Sequence, residues 1–165
     1  MSTADEGDSP GPRALPSLWA SASPHRPPRA TSTVGRWEPA GLAQLTADRR
    51  QFAVALHDGA RPAGAEEGAV ERLLLAYEEL ASNALRHGRG PVRISVTTAA
   101  ASWLLEVSDA SPDTPPRPAV GRDPAHGGLG LHLVARISQA HGGAVDGRRK
   151  VVWARIDHLA PRAEE

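Results

Sequence analysis

The chain has 165 residues, 19 basic and 19 acidic side chains, and no cysteine. That length suits one domain with a true core once any loose end is discounted. Zero formal charge offers nucleic acid no long-range attraction, and the lack of thiols excludes a disulfide framework, a thiolate zinc site and a cysteine nucleophile. No apolar run approaches the roughly 18 residues that a membrane span needs. Asp5, Glu6 and Asp8 stand where a signal peptide would be basic. The expectation is a cytoplasmic protein with no membrane and no nucleic-acid partner.

Residues 1–34 hold six prolines with scattered serines, alanines and arginines. Such a stretch buries too little apolar surface to offset its ordering entropy, and it is expected to be a disordered, Pro-rich leader. The domain proper is expected over 35–160, with 161–165 as a frayed tail. Leu42, Leu45, Phe52, Val54, Ala55 and Leu56 recur near helical spacing until Asp58-Gly59 and Arg61-Pro62 break the pattern. A second helix is expected from about Glu66 to Arg86. Val70, Leu73, Leu74, Tyr77, Leu80, Ala81, Ala84 and Leu85 form its apolar stripe, and His87-Gly88 stops it.

Val92 to Thr98 and Trp103 to Ser108 each alternate apolar and polar residues, and the short link between them predicts an antiparallel pair. Residues 110–127 are proline-rich and aperiodic, hence a long loop. Gly128 to Ala140 reads as a third helix. Ala144 to Asp146 and Val151 to Asp157 read as a closing hairpin turned at Gly147-Arg148. The order predicts an α/β two-layer sandwich, with helices on one face of a mixed or antiparallel sheet.

Three segments carry chemistry. Glu79 and Asn83, four residues apart on a helix, share a face at the edge of the apolar stripe. A carboxylate there can serve as general base, and a neutral amide oxygen is a hard ligand suited to Mg²⁺. The same pair also fits an ordinary exposed helix face. Asp109 ends a strand. It can accept a hydrogen bond from an exocyclic amine such as that of adenine, or it can simply start the turn into Ser111-Pro112. Gly127-Gly128-Leu129-Gly130 opens a helix, where bare backbone and free amides favour phosphate. It is neither the dinucleotide fingerprint nor a P-loop. The histidines show no metal-ligand spacing.

Taken in order, these segments resemble the GHKL (Bergerat-fold) ATP-binding family, over about residues 40–157. The resemblance is closest to its small actinobacterial branch, similar to serine-kinase anti-sigma factors. Glu-Glu-Leu-Ala-Ser-Asn-Ala-Leu-Arg-His-Gly at 78–88 resembles the family's N box. The likeness implies a Bergerat ATP-binding fold, with ATP and Mg²⁺ as ligands. It makes Glu79 the general base, Asn83 the Mg²⁺ ligand, Asp109 the adenine-binding residue, and Gly128, Leu129 and Gly130 the phosphate-facing turn. Arg86 matches a basic position that can approach phosphate, and the loop at 110–127 corresponds to the ATP lid. One departure stands out. Where the family often has Asp-x-Gly-x-Gly, this chain has Asp109-Ala110-Ser111-Pro112-Asp113, which stiffens the lid's first hinge.

The implied function is a serine protein kinase-like regulator that phosphorylates a small partner, either anti-anti-sigma-like or sigma-factor-like. Relatives in this branch often dimerise, so a homodimer is a further expectation. A non-catalytic, ATP-dependent interaction switch is the alternative. A histidine-kinase-type ATPase module is a third reading, although the Pro-rich leader supplies no phosphoacceptor helix pair.

Overall fold

The computed structural model describes residues 32–99, 101–113 and 129–159. Strand β1 (Ser32–Trp37) is followed by α1 (Leu42–Ala55), a π-helical turn over Leu56–Ala60, and α2 (Glu67–His87). Then come β2 (Arg93–Thr98), β3 (Ser102–Asp109), α3 (Leu129–Ile137), β4 (Ala140–Asp146) and β5 (Arg149–Asp157). The strands form one sheet in the order β1-β2-β3-β5-β4, and every neighbouring pair is antiparallel. The sheet is therefore wholly antiparallel.

Register decides which face is apolar. Ile94 and Val96 of β2 stand opposite Val107 and Leu105 of β3, which in turn stand opposite Val152 and Ala154 of β5. These residues are buried, and they belong to one core with Val70, Leu73, Tyr77, Leu80 and Ala84 of α2 and with Leu131 and Val134 of α3. The helical stripe at i, i+3, i+4 and i+7 thus meets the period-two stripe of the strands. This is a two-layer α/β sandwich with the helices on one face.

Helix α2 crosses the sheet with both ends tied down. At its start, the Glu66 backbone N–H donates to the His158 carbonyl, 3.0 Å away, just past the end of β5. Arg72 donates to the Asp157 carbonyl at 3.3 Å. At its other end, Gly88 meets Asp109, the last residue of β3. The helix therefore runs parallel to β3 and antiparallel to β5, and this alignment carries the N-box residues to the end of β3.

Three boundaries differ from the sequence reading. Ser32, Thr33 and Val34, assigned above to the leader, begin β1, a strand that pattern alone did not suggest. The rest of the leader, 1–31, lies outside the described residues. β1 is held by Trp37, whose ring centroid is 4.8 Å from that of Phe52 and 5.3 Å, edge-on, from that of Tyr77. Its indole also lies against the bare Cα of Gly35, where any side chain would collide with it. The third helix ends at Ile137 rather than Ala140, and β4 starts at Ala140 rather than Ala144. The Ser138 hydroxyl donates to the Val134 carbonyl at 2.7 Å, and the Gln139 N–H leaves the helix for the Arg155 carbonyl at 3.0 Å. Gly142, which reads as a breaker, is accommodated in the strand because the Trp153 indole of β5 covers it at 3.0 Å from a built Cβ position. The expected hairpin turn is present at Gly147-Arg148, with Gly147 at φ +60°.

His158 is 1% exposed and packs 4.8 Å, ring to ring, from Trp103. Its Nε2 lies 3.3 Å from the Ala99 carbonyl, and its Nδ1 has no partner among the described residues. Burial lowers its pKa below the usual histidine value, outweighing the opposite pull of the Ala99 bond and Asp157. The unfolded chain thus binds this proton more readily than the folded one. The resulting stability is fully present above about pH 6.5 and is lost as pH falls below it, until the folded-state value is passed. Urea titrations between about pH 7.5 and about pH 5 should show the loss. His158→Gln should flatten that slope.

Candidate functional site

Site residues gather around the second half of α2. Glu79 and Asn83 are both half-buried, at the edge of the helix's apolar stripe and about 6 Å apart along its axis. α3 begins against Glu79: a Cβ built on Gly130 would overlap the Glu79 carboxylate, so the absence of a side chain at 130 is what lets this carboxylate lie there. Glu79 and Gly130, separated by 51 positions in the sequence, are thus brought into contact. Arg86 is exposed near the end of the helix. Leu129 is the first residue of α3. Gly128 lies outside the described residues, as does 114–127, which takes in most of the predicted lid.

Asp109 anchors the other end of the site. It is 2% exposed, and its carboxylate is gripped from three sides. Oδ1 accepts from the Ser111 backbone N–H at 2.8 Å. Oδ2 stands 3.4 Å from the Lys150 ammonium, itself 7% exposed. The Cα of Gly88 closes the third side: a Cβ there would come within 2.6 Å of Asp109 Cγ and of the Ala84 carbonyl oxygen. Asp109 and Lys150 are register partners on β3 and β5, so the sheet itself places this pair. Burial of a carboxylate is tolerated where it is paired and hydrogen-bonded, as it is here.

Ser111 gives the altered glycine box a physical meaning. Its N–H makes the Asx turn onto Asp109, and its hydroxyl accepts from the Arg89 N–H at 2.8 Å. The Ala110 N–H donates to the Arg89 carbonyl at 2.7 Å. The hydroxyl bond is the one a glycine at 111 could not make, and with the Ala110–Arg89 bond it fastens the end of β3 to the segment leaving α2. Of the two roles open to Asp109 in sequence, the turn-starting one is therefore visible.

Three participants were not singled out from the sequence. Gly88 was read only as a helix stop, and its close approach to Asp109 is a tertiary contact without a local signature. Ser111 was read as loop. Lys150 did leave a signal: it occupies the inward position of the alternation Lys150, Val152, Ala154, Ile156, where a charge demands a partner. Two cavities lie elsewhere. One of about 480 Å³ is lined in part by Arg36, Glu38, Arg93, Ser95, Glu106 and Ser108 and contains none of the residues selected from the sequence. Another of about 370 Å³ adjoins the site only through Ala84 and Gly88.

The Gly88 contact makes a stability prediction. Gly88→Ala sets a methyl against a backbone carbonyl and a carboxylate that cannot retreat, and it should cost about 1–3 kcal/mol in denaturant melts. Gly130→Ala meets only the end of a flexible side chain and gains helix propensity. It should leave stability within about 1 kcal/mol of wild type.

Comparison with known proteins bears on this geometry. The signature of a family described as the histidine kinase-like ATPase domain matches residues 39–156, most of the chain. Among solved structures, the chain is similar to the Acinetobacter baumannii histidine kinase AdeS. The identity is 19% and the TM-score 0.39, over 55% of this chain and 48% of that one. The chain thus spans about half the length of that neighbour. No curated protein matches the sequence. The family match covers both ends of α2, Asp109 and the start of α3, and by it this chain belongs to the histidine kinase-like (GHKL) ATPase family, whose domain implies ATP as its ligand.

Proposed function

We propose that the protein is an ATP- and Mg²⁺-dependent regulator that transfers the γ-phosphoryl group of ATP to a serine on a small regulatory protein of the anti-anti-sigma or sigma-factor kind. The observation that carries this reading is that one helix meets both ends of the site. Glu79 lies against the start of α3, and nine residues on, about 13 Å along the axis, Gly88 lies against Asp109. That separation is on the scale of an extended nucleoside triphosphate.

In this reading Asp109 accepts a hydrogen bond from the adenine amine. The start of α3 at Leu129 and Gly130 faces the phosphates, helped by the positive end of the helix dipole, and Arg86 adds a cation. Asn83 offers Mg²⁺ its amide oxygen. Among the described residues no cluster of three or more His, Cys, Asp or Glu side chains stands ready for a metal. This suits an ion that keeps its waters and arrives on phosphates rather than in a protein cage. When bound, the ion neutralises charge on the transferring group. Glu79 takes the proton from the incoming serine hydroxyl as its oxygen bonds to phosphorus and ADP departs. The reaction asks for positioning and charge neutralisation more than for covalent chemistry, so few side chains suffice.

A second reading, an ATP-dependent interaction switch without transfer, is favoured by one observation. The Ser111 bonds hold the first hinge of the predicted lid in place, where the family pattern has glycines. Glu79→Gln separates the two. In the kinase, transfer of label from ATP to the partner protein falls by about a hundredfold or more, while ATP binding persists. In the switch, partner regulation survives the substitution. Gly130→Ala should likewise slow transfer, by displacing the Glu79 carboxylate from its place. Calorimetric titration with ATP and Mg²⁺ tests the shared premise: Asn83→Ala should weaken Mg²⁺-dependent affinity by about tenfold or more, roughly 1.4 kcal/mol. If the wild type binds no ATP, both readings fail.

A further inference from the structure

Lys150 is, among the described residues, a strongly buried cation that the reading above leaves without a task, and it is placed against the residue that would recognise the base. Its ammonium is 3.4 Å from Asp109 Oδ2, and the two side chains are 9% and 2% exposed. We propose that Lys150 is a positioning residue for base recognition, holding Asp109 as an ionised, aimed acceptor so that the pair, and not Asp109 alone, selects a purine bearing an amine at C6. This rests on the nucleotide-binding reading above and deepens it by naming what sets the base preference.

The argument runs from the cost of charge. A carboxylate removed from water and left without a cation is strongly destabilised, and such a group escapes the penalty by taking up a proton. A protonated carboxyl group then has a donor where the carboxylate offered only acceptors. An exocyclic amine needs an acceptor, whereas a C6 carbonyl needs a donor. The protonation state of Asp109 therefore decides between the two kinds of base. Among the described residues, the other groups that meet Asp109 are hydrogen-bond and packing partners: the Ser111 N–H fixes Oδ1, and the Gly88 Cα packs against Cγ and Oδ2. Neither carries charge. Lys150 can fill this role because register places it directly opposite Asp109 and because β5 projects it onto the buried face.

The test compares ATP with inosine triphosphate, which differs at C6 by a carbonyl in place of the amine, in calorimetric titrations of the full chain with Mg²⁺. Wild type is expected to prefer ATP by about tenfold or more, the scale of one well-placed polar contact. Lys150→Met should reduce that ATP-to-inosine ratio at least tenfold. A purely structural role would weaken both nucleotides together and leave the ratio unchanged. Lys150→Gln, which keeps length and a donor without the charge, should behave like Lys150→Met and serves if the latter does not fold. Lys150→Arg should restore the wild-type ratio. In an Asp109→Asn background, Lys150→Met should change the ratio no further, because the two act as one unit. An unchanged ratio in both the Met and Gln variants overturns the inference while leaving nucleotide binding intact. Equal affinity of the wild type for both nucleotides overturns it as well. Failure of the wild type to bind either nucleotide removes the underlying reading with it.

Discussion

Helix α2 has to satisfy two ends of the sheet at once, and the rest of the arrangement follows from that. Its start is hydrogen-bonded to the residue after β5, and its end touches the last residue of β3 through a glycine. Between these anchors the apolar stripe fixes rotation about the helix axis, because Val70, Leu73, Tyr77, Leu80 and Ala84 must all face the sheet. With position and rotation both set, the direction in which Glu79 and Asn83 project is no longer free. The site is thus built by packing rather than by a dedicated loop.

At the end of β3, three unrelated segments converge on one carboxylate. The helix exit contributes Gly88, β5 contributes Lys150, and the turn after β3 contributes the Ser111 amide. Such a buried polar cluster is stable only while every member is satisfied. Its energetics are therefore collective, and loss of a single partner leaves the others with an unmet charge or donor. Asp109 is held in place before any ligand arrives, which is the form of preorganisation that binding sites exploit.

Much of this was legible in the sequence, for identifiable reasons. The α2 stripe spans several turns without a glycine or proline after Gly68, and β2 alternates strictly while β3 departs from alternation at Leu104 alone, so period located both layers. Asp109 was found because it ends a strand, and Glu79 and Asn83 because their spacing is one helical turn. The start of β1 escaped because Gly35 interrupts it and its stability comes from Trp37 packing on α1 and α2. The first half of β4 escaped because Gly142 and Gly143 lack side chains, and the Trp153 that covers one of them lies on another strand. Gly88 and Ser111 gained their meaning only from contacts with residues about twenty positions away. Local pattern reports which face is apolar; it does not report which distant atom occupies the space beside a glycine.

The irregular register of β1 bears on how the molecule coexists with copies of itself. β1 ends the hydrogen-bonded order of the sheet among the described residues, and an edge of that kind can template a foreign strand. The slip between Thr33 and Gly35 breaks the even spacing that such a strand would need. The exposed Arg36 adds a charge at the same border. A feature that cost β1 its visibility in the sequence thereby guards against fibrous aggregation.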